Sequence, residues 1–309
     1  MATKELIAVT ESPIPVRRIT DPDVVGSTRQ ITVYCPLCDA EMITFGTADY
    51  YLPGRMDLIT RILRCPACGV LRREISGSDV RQHCSMASYT DLARERTMRE
   101  QRQPFFQYLI RLASSRLGHF PRTGLDVGCS YGHLLDLLAD GGCRAAGIET
   151  CATVRTPCAQ RGLNVYGSLE ELPRAQRFEL ITLVDSLYYF PQPRDLLAEL
   201  REHLDDDGVL LLRISNRNWI ASLLHLTGCQ NHFGRWLGDA AVCYADSSLR
   251  RLLQASGYRV VTVRYREPGK GHLSVATQAF YWTSTLITSI SFGTVVLSPG
   301  ITVLAVKQP

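Results

Sequence analysis

The sequence predicts an α/β protein in which a parallel sheet is covered by helices and preceded by a small cysteine-bearing β module. Three observations carry this. From Gly124 onward short apolar runs alternate with helical segments, two CxxC pairs stand upstream of them, and a glycine-rich turn joins the first run to the next helix. The composition fits: 309 residues, 45% hydrophobic and 21% charged, which is ordinary globular usage. At this length roughly three quarters of the unfolded surface can be buried. Basic and acidic side chains number 34 and 30, a net charge of +4, so nothing in the balance demands nucleic acid as a partner.

The elements follow in order. Residues 1–30 read as an extended lead-in, since Pro13, Pro15 and Pro22 disfavour helix. The lead-in has charges but no apolar stretch of leader length, so a cytoplasmic chain is expected. Its eleven cysteines are then expected as reduced thiols rather than disulfides. Residues 31–86 form the cysteine module, with short strands at 31–34 and 62–65. Residues 87–122 form a helical cap or linker, with apolar positions at Phe105, Phe106, Leu109, Ile110 and Leu112. Residues 123–309 form the sheet domain. Its runs at 125–128, 145–149, 165–167, 180–185 and 209–214 read as strands buried on both faces. Helices are expected at 133–139, 194–204 and 248–256, and the last strands at 259–265 and 301–306. Insertions at about 216–245 and 268–299 lie on the substrate side. The apolar stretch 273–297 is broken by Ser, Thr and Gly293 and falls short of the ~20 mostly apolar residues of a spanning helix. The expectation is a pair of short helices that cover substrate or make peripheral contact with a membrane or a lipid-like molecule.

Cys35-Pro-Leu-Cys38 and Cys65-Pro-Ala-Cys68-Gly69 are separated by 26 residues. A CxxC turn lets two thiolates converge on one ion, and two such turns complete a closed tetrahedral zinc site of structural type. The gap is filled by a hairpin or loop holding Tyr50, Tyr51 and Pro53, and Gly69 relieves the second turn. The plainer reading is two unrelated thiol pairs or a redox dithiol, against which the doubling of the motif argues. His83 and Cys84 are not needed as ligands.

Gly124-Leu-Asp-Val-Gly-Cys-Ser-Tyr-Gly132 follows the first strand and opens a helix. Small residues at Gly128, Ser130 and Gly132 admit a ligand to the backbone, where helix N–H groups are free. Glu149 stands 23 residues beyond Asp126 at the end of the next strand, where a carboxylate accepts hydrogen bonds from ribose hydroxyls.

With these residues, and with the stretch 178–215, the chain resembles the class I S-adenosylmethionine-dependent methyltransferases. More narrowly it is similar to bacterial methyltransferases with an amino-terminal zinc-binding module, found in natural-product, sugar or polysaccharide pathways. The resemblance implies a Rossmann-like seven-stranded sheet with a zinc module and a helical cap. By position it implies that Asp126 orients the methionine amino group, that Gly128, Cys129, Ser130 and Gly132 line the methionine half, and that Glu149 holds the ribose. Thr150, Cys151, Ser168 and Leu169 would border the adenine, and Asp185, Ser186 and Leu187 the floor near the sulfonium.

The chain departs from the family where relatives carry a Glu-His pair, since Tyr188 and Tyr189 stand there, and where Gly238-Asp239-Ala240-Ala241 replaces an Asp-His. The remaining candidates at the reacting end are Tyr188, Tyr189 and His232, with His232 read more readily as a structural or surface residue. His203 is expected in solvent, and His133 packing at the helix after the turn. A methyltransferase of a small-molecule acceptor is the leading reading. A ribosomal RNA methyltransferase stays open because residues 55–122 hold 13 arginines against 6 acids, as does a domain that binds the cofactor without transferring methyl.

Overall fold

Strands that are apolar on both faces must be covered on both, and the longest such runs lie at the centre of the main sheet. The computed structural model describes residues 32–49, 59–75, 92–220, 223, 227–228, 237, 240–268 and 274–309. In chain order the module strands are β1 (Ile43–Asp49), β2 (Ile59–Arg64) and β3 (Leu71–Arg73), followed by the cap helix α1 (Leu92–Leu117). The alternating part is β4 (Thr123–Val127), α2 (His133–Asp140), β5 (Arg144–Ile148), α3 (Ala152–Gln160), β6 (Asn164–Tyr166), β7 (Phe178–Val184), α4 (Pro193–His203) and β8 (Leu204–Ser215). The chain closes with β9 (Val242–Cys243), α5 (Asp246–Ala255), β10 (Tyr258–Arg264), α6 (Val275–Ile290) and β11 (Gly300–Lys307).

Seven strands pair in the order β10-β11-β8-β7-β4-β5-β6. Strands β4 to β8 run parallel to their neighbours, whereas β11 slots antiparallel between β8 and β10. That reversal is a finding beyond the parallel sheet expected from the alternation. A run buried on both faces looks the same in either direction, so only the connection through α6, which brings Gly300 opposite Ser215, sets it. Chain order reverses at the crevice between β4 and β7, the place where open sheets of this kind take ligands.

Both faces of the sheet are covered. Phe105, Phe106, Leu109 and Ala113 of α1 pack with Leu180, Leu211 and Leu304 on one side. On the other, Leu197 and Leu200 of α4 and Leu249, Leu252 and Leu253 of α5 pack with Ile181, Leu183 and Leu212. Each such fully buried side chain contributes about 1.5–3 kcal/mol of transfer free energy.

The second sheet has the order β1-β2-β3-β9. Its first three strands come from the cysteine module and its fourth from residues far along the chain, Leu71 and Arg72 pairing with Cys243 and Val242. Of the strand expected at 31–34, the described residues 32–34 form no more than an isolated bridge, Tyr34 to Glu41, because the first cysteine turn reverses the chain there. The bonds from Cys35 N to the Ala40 carbonyl and from Met42 N to the Val33 carbonyl flank it. Two other expectations are corrected. The described residues of 273–297 contain one helix of 16 residues, α6, rather than two short ones. Its hydroxyls explain this: Thr283, Ser284, Thr288 and Ser289 each donate back to a carbonyl four residues earlier and so stay inside the helix. His203 is buried, not solvated, with Nδ1 2.9 Å from the Gln176 carbonyl, because β8 begins at the next residue and draws the helix end into the core. The lead-in 1–30 and His232 lie outside the described residues.

Candidate functional site

Strand β4 ends at Val127, and the chain turns through Gly128 and Gly132 with φ of 79° and 73°. A side chain at Gly128 would place its Cβ 2.6 Å from that of Ser186, so both the conformation and the space demand glycine. Ser130 between them also has positive φ, 51°, a conformation costing a side-chain-bearing residue roughly 1 kcal/mol. The compensation comes from the next strand end. Glu149 Oε2 accepts from the Ser130 N–H at 3.1 Å and Oε1 from the Cys151 N–H at 2.8 Å. The carboxylate thus ties the turn after β4 to the start of α3, and it is itself buried.

Asp126 is 4% exposed and accepts from the Thr182 hydroxyl at 2.6 Å. Burial pushes its carboxyl up to about 7, aided by the charge of Glu149 and opposed by the Thr182 hydrogen bond and by Arg102. When both are ionised, the two buried carboxyl groups beside the glycine turn form an acceptor-only set, suited to a ligand that brings an ammonium group and a pair of hydroxyls.

Across the crevice, Asp185 follows β7 with φ of 58°. It is held between two arginines: Arg102 of α1 at 2.7 Å and Arg213 of β8. Arg213 reaches Glu267 through two bonds of 2.6 and 2.8 Å. The Ser186 hydroxyl donates to the Val127 carbonyl at 2.6 Å, and Leu187 is fully buried. The rings of Tyr188 and Tyr189 lie 4.6 Å apart, both half-buried. Tyr188 packs against the hydrophobic cluster of Phe45, Ile62, Leu71 and Leu237, and its carbonyl accepts from Ala241 N at 2.9 Å.

The structure therefore gathers Asp126, Gly128, Cys129, Ser130, Gly132, Glu149 and Cys151 around one turn, with Asp185, Ser186 and Leu187 at the facing strand end. Thr150 is exposed beside them and Cys129 is buried. The Ser168 hydroxyl is used by Glu170, whose carboxyl it lowers. Leu169 faces the hydrophobic core.

Sequence reasoning missed the charged face of the cap helix. Glu95, Arg99 and Arg102 meet His133, Asp136 and Asp185 at 2.6, 2.8 and 2.7 Å. Their spacing of four and three residues puts them on one face, and that was the available signal. Burial pushes the His133 imidazole down, with Glu95 opposing. Arg213 was also legible, as the one charge inside the apolar run 209–214 of β8, where a buried charge demands a partner.

The four cysteines form a second candidate site. The Sγ atoms of Cys35, Cys38, Cys65 and Cys68 all lie within 4.8 Å of one another, with Cys35–Cys68 at 3.6 Å and Cys38–Cys65 at 3.5 Å. Ligands at a tetrahedral zinc are about 3.8 Å apart for a Zn–S bond of ~2.3 Å. The two turns are alike. Leu37 N and Cys68 N each donate to a sulfur at 3.4 Å. Asp39 and Gly69, each just after a second cysteine, share positive φ of 57° and 76°. The hydrogen bond with Cys68 pulls the Cys35 thiol down to about 5, while Cys68 is pushed up. The donor set fits one thiophilic ion.

Comparison with known proteins adds to this geometry. A family model described as a methyltransferase domain matches residues 93–263. The chain is 25% identical over 150 residues to a ubiquinone biosynthesis O-methyltransferase of Coxiella burnetii, covering 45% of this chain and 64% of that one. A protein of the same description from Haemophilus ducreyi is 28% identical over 126 residues, 37% of this chain and 53% of that one. The chain thus spans less than two thirds of these relatives. Among solved structures it is similar to a chain in the complex of the Haloferax volcanii Trm112 methyltransferase activator with a methyltransferase. That match has a TM-score of 0.50 and 14% identity, covering 72% of this chain and 97% of the other, a likeness of fold.

Proposed function

Because the chain belongs to the methyltransferase-domain family, we propose that it is an S-adenosylmethionine-dependent methyltransferase of a small-molecule acceptor, of the kind used in bacterial biosynthetic pathways, with a structural zinc in its amino-terminal module. The observation that carries this reading is the pair of buried carboxylates, Asp126 and Glu149, on either side of the glycine turn. When bound, the cofactor supplies a methyl group on a sulfonium, an electrophile that needs no further activation. Asp126 accepts from the ammonium end and Glu149 from the ribose hydroxyls, while the small residues at Gly128 and Ser130 leave the backbone open to close approach. Arg102 stands beside Asp126 and Asp185 and offers a cation to the carboxylate end.

At the reacting side the lip after β7 carries two phenols, Tyr188 and Tyr189. With phenols rather than an imidazole at the lip, the site works by holding the acceptor in line rather than by strong deprotonation. Tyr189 is the better candidate for acceptor contact, since Tyr188 is committed to the wall shared with the cysteine sheet.

Against the RNA reading, four of the thirteen arginines of 55–122 have acidic partners: Arg61 with Glu74, Arg99 with Asp136, Arg102 with Asp185 and Arg122 with Glu179. Calorimetric titration with S-adenosylmethionine and S-adenosylhomocysteine, with metal content measured on the same sample, tests the proposal. Micromolar binding of both and one zinc per chain is expected. Binding of neither overturns it.

A further inference from the structure

Helix α6 is built inside out. Its buried residues are small and polar, Ser284 at 4% and Thr288 at 0% exposure, whereas Trp282, Leu286 and Ile290 are 60%, 59% and 67% exposed. Val275, Phe280 and, just beyond the helix, Phe292 extend the exposed apolar surface. The inward row is stitched to the molecule by hydrogen bonds: the Thr288 hydroxyl accepts from Leu297 N and Ser298 N at 2.9 and 3.0 Å. The orientation is therefore specified, and the apolar residues are not outward by default. Trp282, Leu286 and Ile290 repeat every four residues and form one ridge. No helix among the described residues is long and apolar enough to cross a membrane, so this surface serves contact, not passage.

The charges around it select the partner. The helix holds no charged residue. Arg264 and Arg266 precede it and are exposed, and the Arg266 guanidinium lies over the Trp282 ring at 4.8 Å. The acids tied to this segment are already engaged: Glu267 is buried on Arg213, and Asp246, which accepts from the Tyr265 hydroxyl, is paired with Arg250. An apolar ridge with an aromatic residue, bordered by arginines and with no exposed acid among the described residues of 264–298, complements a bilayer surface of anionic headgroups.

We propose that α6 seats the protein on anionic lipid bilayers, with Trp282, Leu286 and Ile290 entering the headgroup–acyl boundary and Arg264 and Arg266 meeting lipid phosphates. The placement has a functional sense. Strand β10 ends, and β11 begins, at the sheet edge where β8 ends at Ser215, the same edge at which β4 and β7 deliver Asp126 and Asp185. Asn216 ties the two, donating to the Val296 and Ser298 carbonyls at 3.0 and 3.1 Å. Seating α6 brings the candidate site to the bilayer, where an apolar acceptor resides. The lipid contact itself does not rest on the methyltransferase reading.

Co-sedimentation of the full chain with phosphatidylcholine vesicles and with phosphatidylcholine–phosphatidylglycerol vesicles tests the proposal. Pelleting with the anionic vesicles only is expected, reduced at least about tenfold by the double variant Trp282→Glu and Leu286→Glu and about fivefold by Arg264→Gln. All three positions are exposed, and unchanged thermal unfolding and cofactor binding of the variants would verify the fold. No pelleting with anionic vesicles overturns the proposal. So does equal pelleting with both vesicle types, or a concentration-dependent dimer that the double variant dissolves while the vesicles bind nothing, which would assign the ridge to a second copy of the chain.

Discussion

Glu149 performs two tasks at the scale of a single residue, and they can be separated. Its carboxylate holds the Ser130 and Cys151 N–H groups and, on the proposed reading, also the ribose. Glu149→Ala is expected to weaken cofactor binding by two orders of magnitude or more, since it removes charge-assisted bonds each worth about 1.5–3 kcal/mol, while zinc content stays at one per chain. Calorimetry with metal analysis checks both. Asp126 makes a pH prediction. Its folded pKa is raised to about 7 from an unfolded value near 3.9. Between about pH 4 and 7 the folded chain therefore holds a proton that the unfolded chain has released, and stability falls as pH rises through that window. A cationic ligand favours the ionised carboxylate, so cofactor affinity should rise with pH, by up to about tenfold per unit below the pKa. In Asp126→Asn the slope should vanish, and a titration series from pH 5.5 to 8.5 that finds the wild-type slope there would refute the assignment. For Tyr189→Phe, the hydroxyl contact predicts lower turnover with cofactor affinity unchanged; full turnover would make the ring a simple wall.

At the scale of the element, the cap helix α1 is held over the glycine turn by two ion pairs, Arg99–Asp136 and Arg102–Asp185, and the Glu95–His133 contact on one face, and by Phe105, Phe106 and Leu109 on the other. Arg102→Ala should raise KM for the cofactor while changing kcat little. Leu109→Ala should instead cost about 2–5 kcal/mol of stability, read by denaturant unfolding, so the two faces are separable by experiment. What the sequence disclosed about elements follows the same physics. Strands β4, β5, β7 and the apolar run of β8 were legible because burial writes itself as apolar runs, and α2, α4 and α5 because their periodicity is plain. Strand β6 was located, but it is exposed to half-buried at the sheet edge rather than buried on both faces. Helix α3 did not declare itself, since Pro157 and β-branched residues obscure its pattern. Strand β9 could not, because two residues carry no period. The turn and its carboxylates were readable from local spacing, whereas the partners Arg102, Arg213 and Glu267 come from three distant segments joined only by folding.

Over the whole molecule, the cysteine module is not an appendage. Cys35, Cys65 and Cys68 share one hydrophobic core with Leu183, Leu212 and Tyr244. Arg194 pairs with Asp39 at 2.8 Å, and Asn218 donates to the Gly69 carbonyl at 3.0 Å. Cys65→Ser should therefore lose the metal and lower Tm of the entire chain in one transition, by about 10 °C or more; full zinc content in that variant would sink the four-thiolate site. The shared sheet also sets a schedule for the nascent chain. Val242, which completes the pairing of β3, is made 174 residues after Cys68. At about 5–20 residues per second the outer edge of β3 stays bare for roughly 9 to 35 seconds of synthesis, a template for mispairing. An ion captured early by the four cysteines would hold β2 and β3 in register through that wait, so zinc-starved cells should lose this protein to aggregation during translation rather than after it.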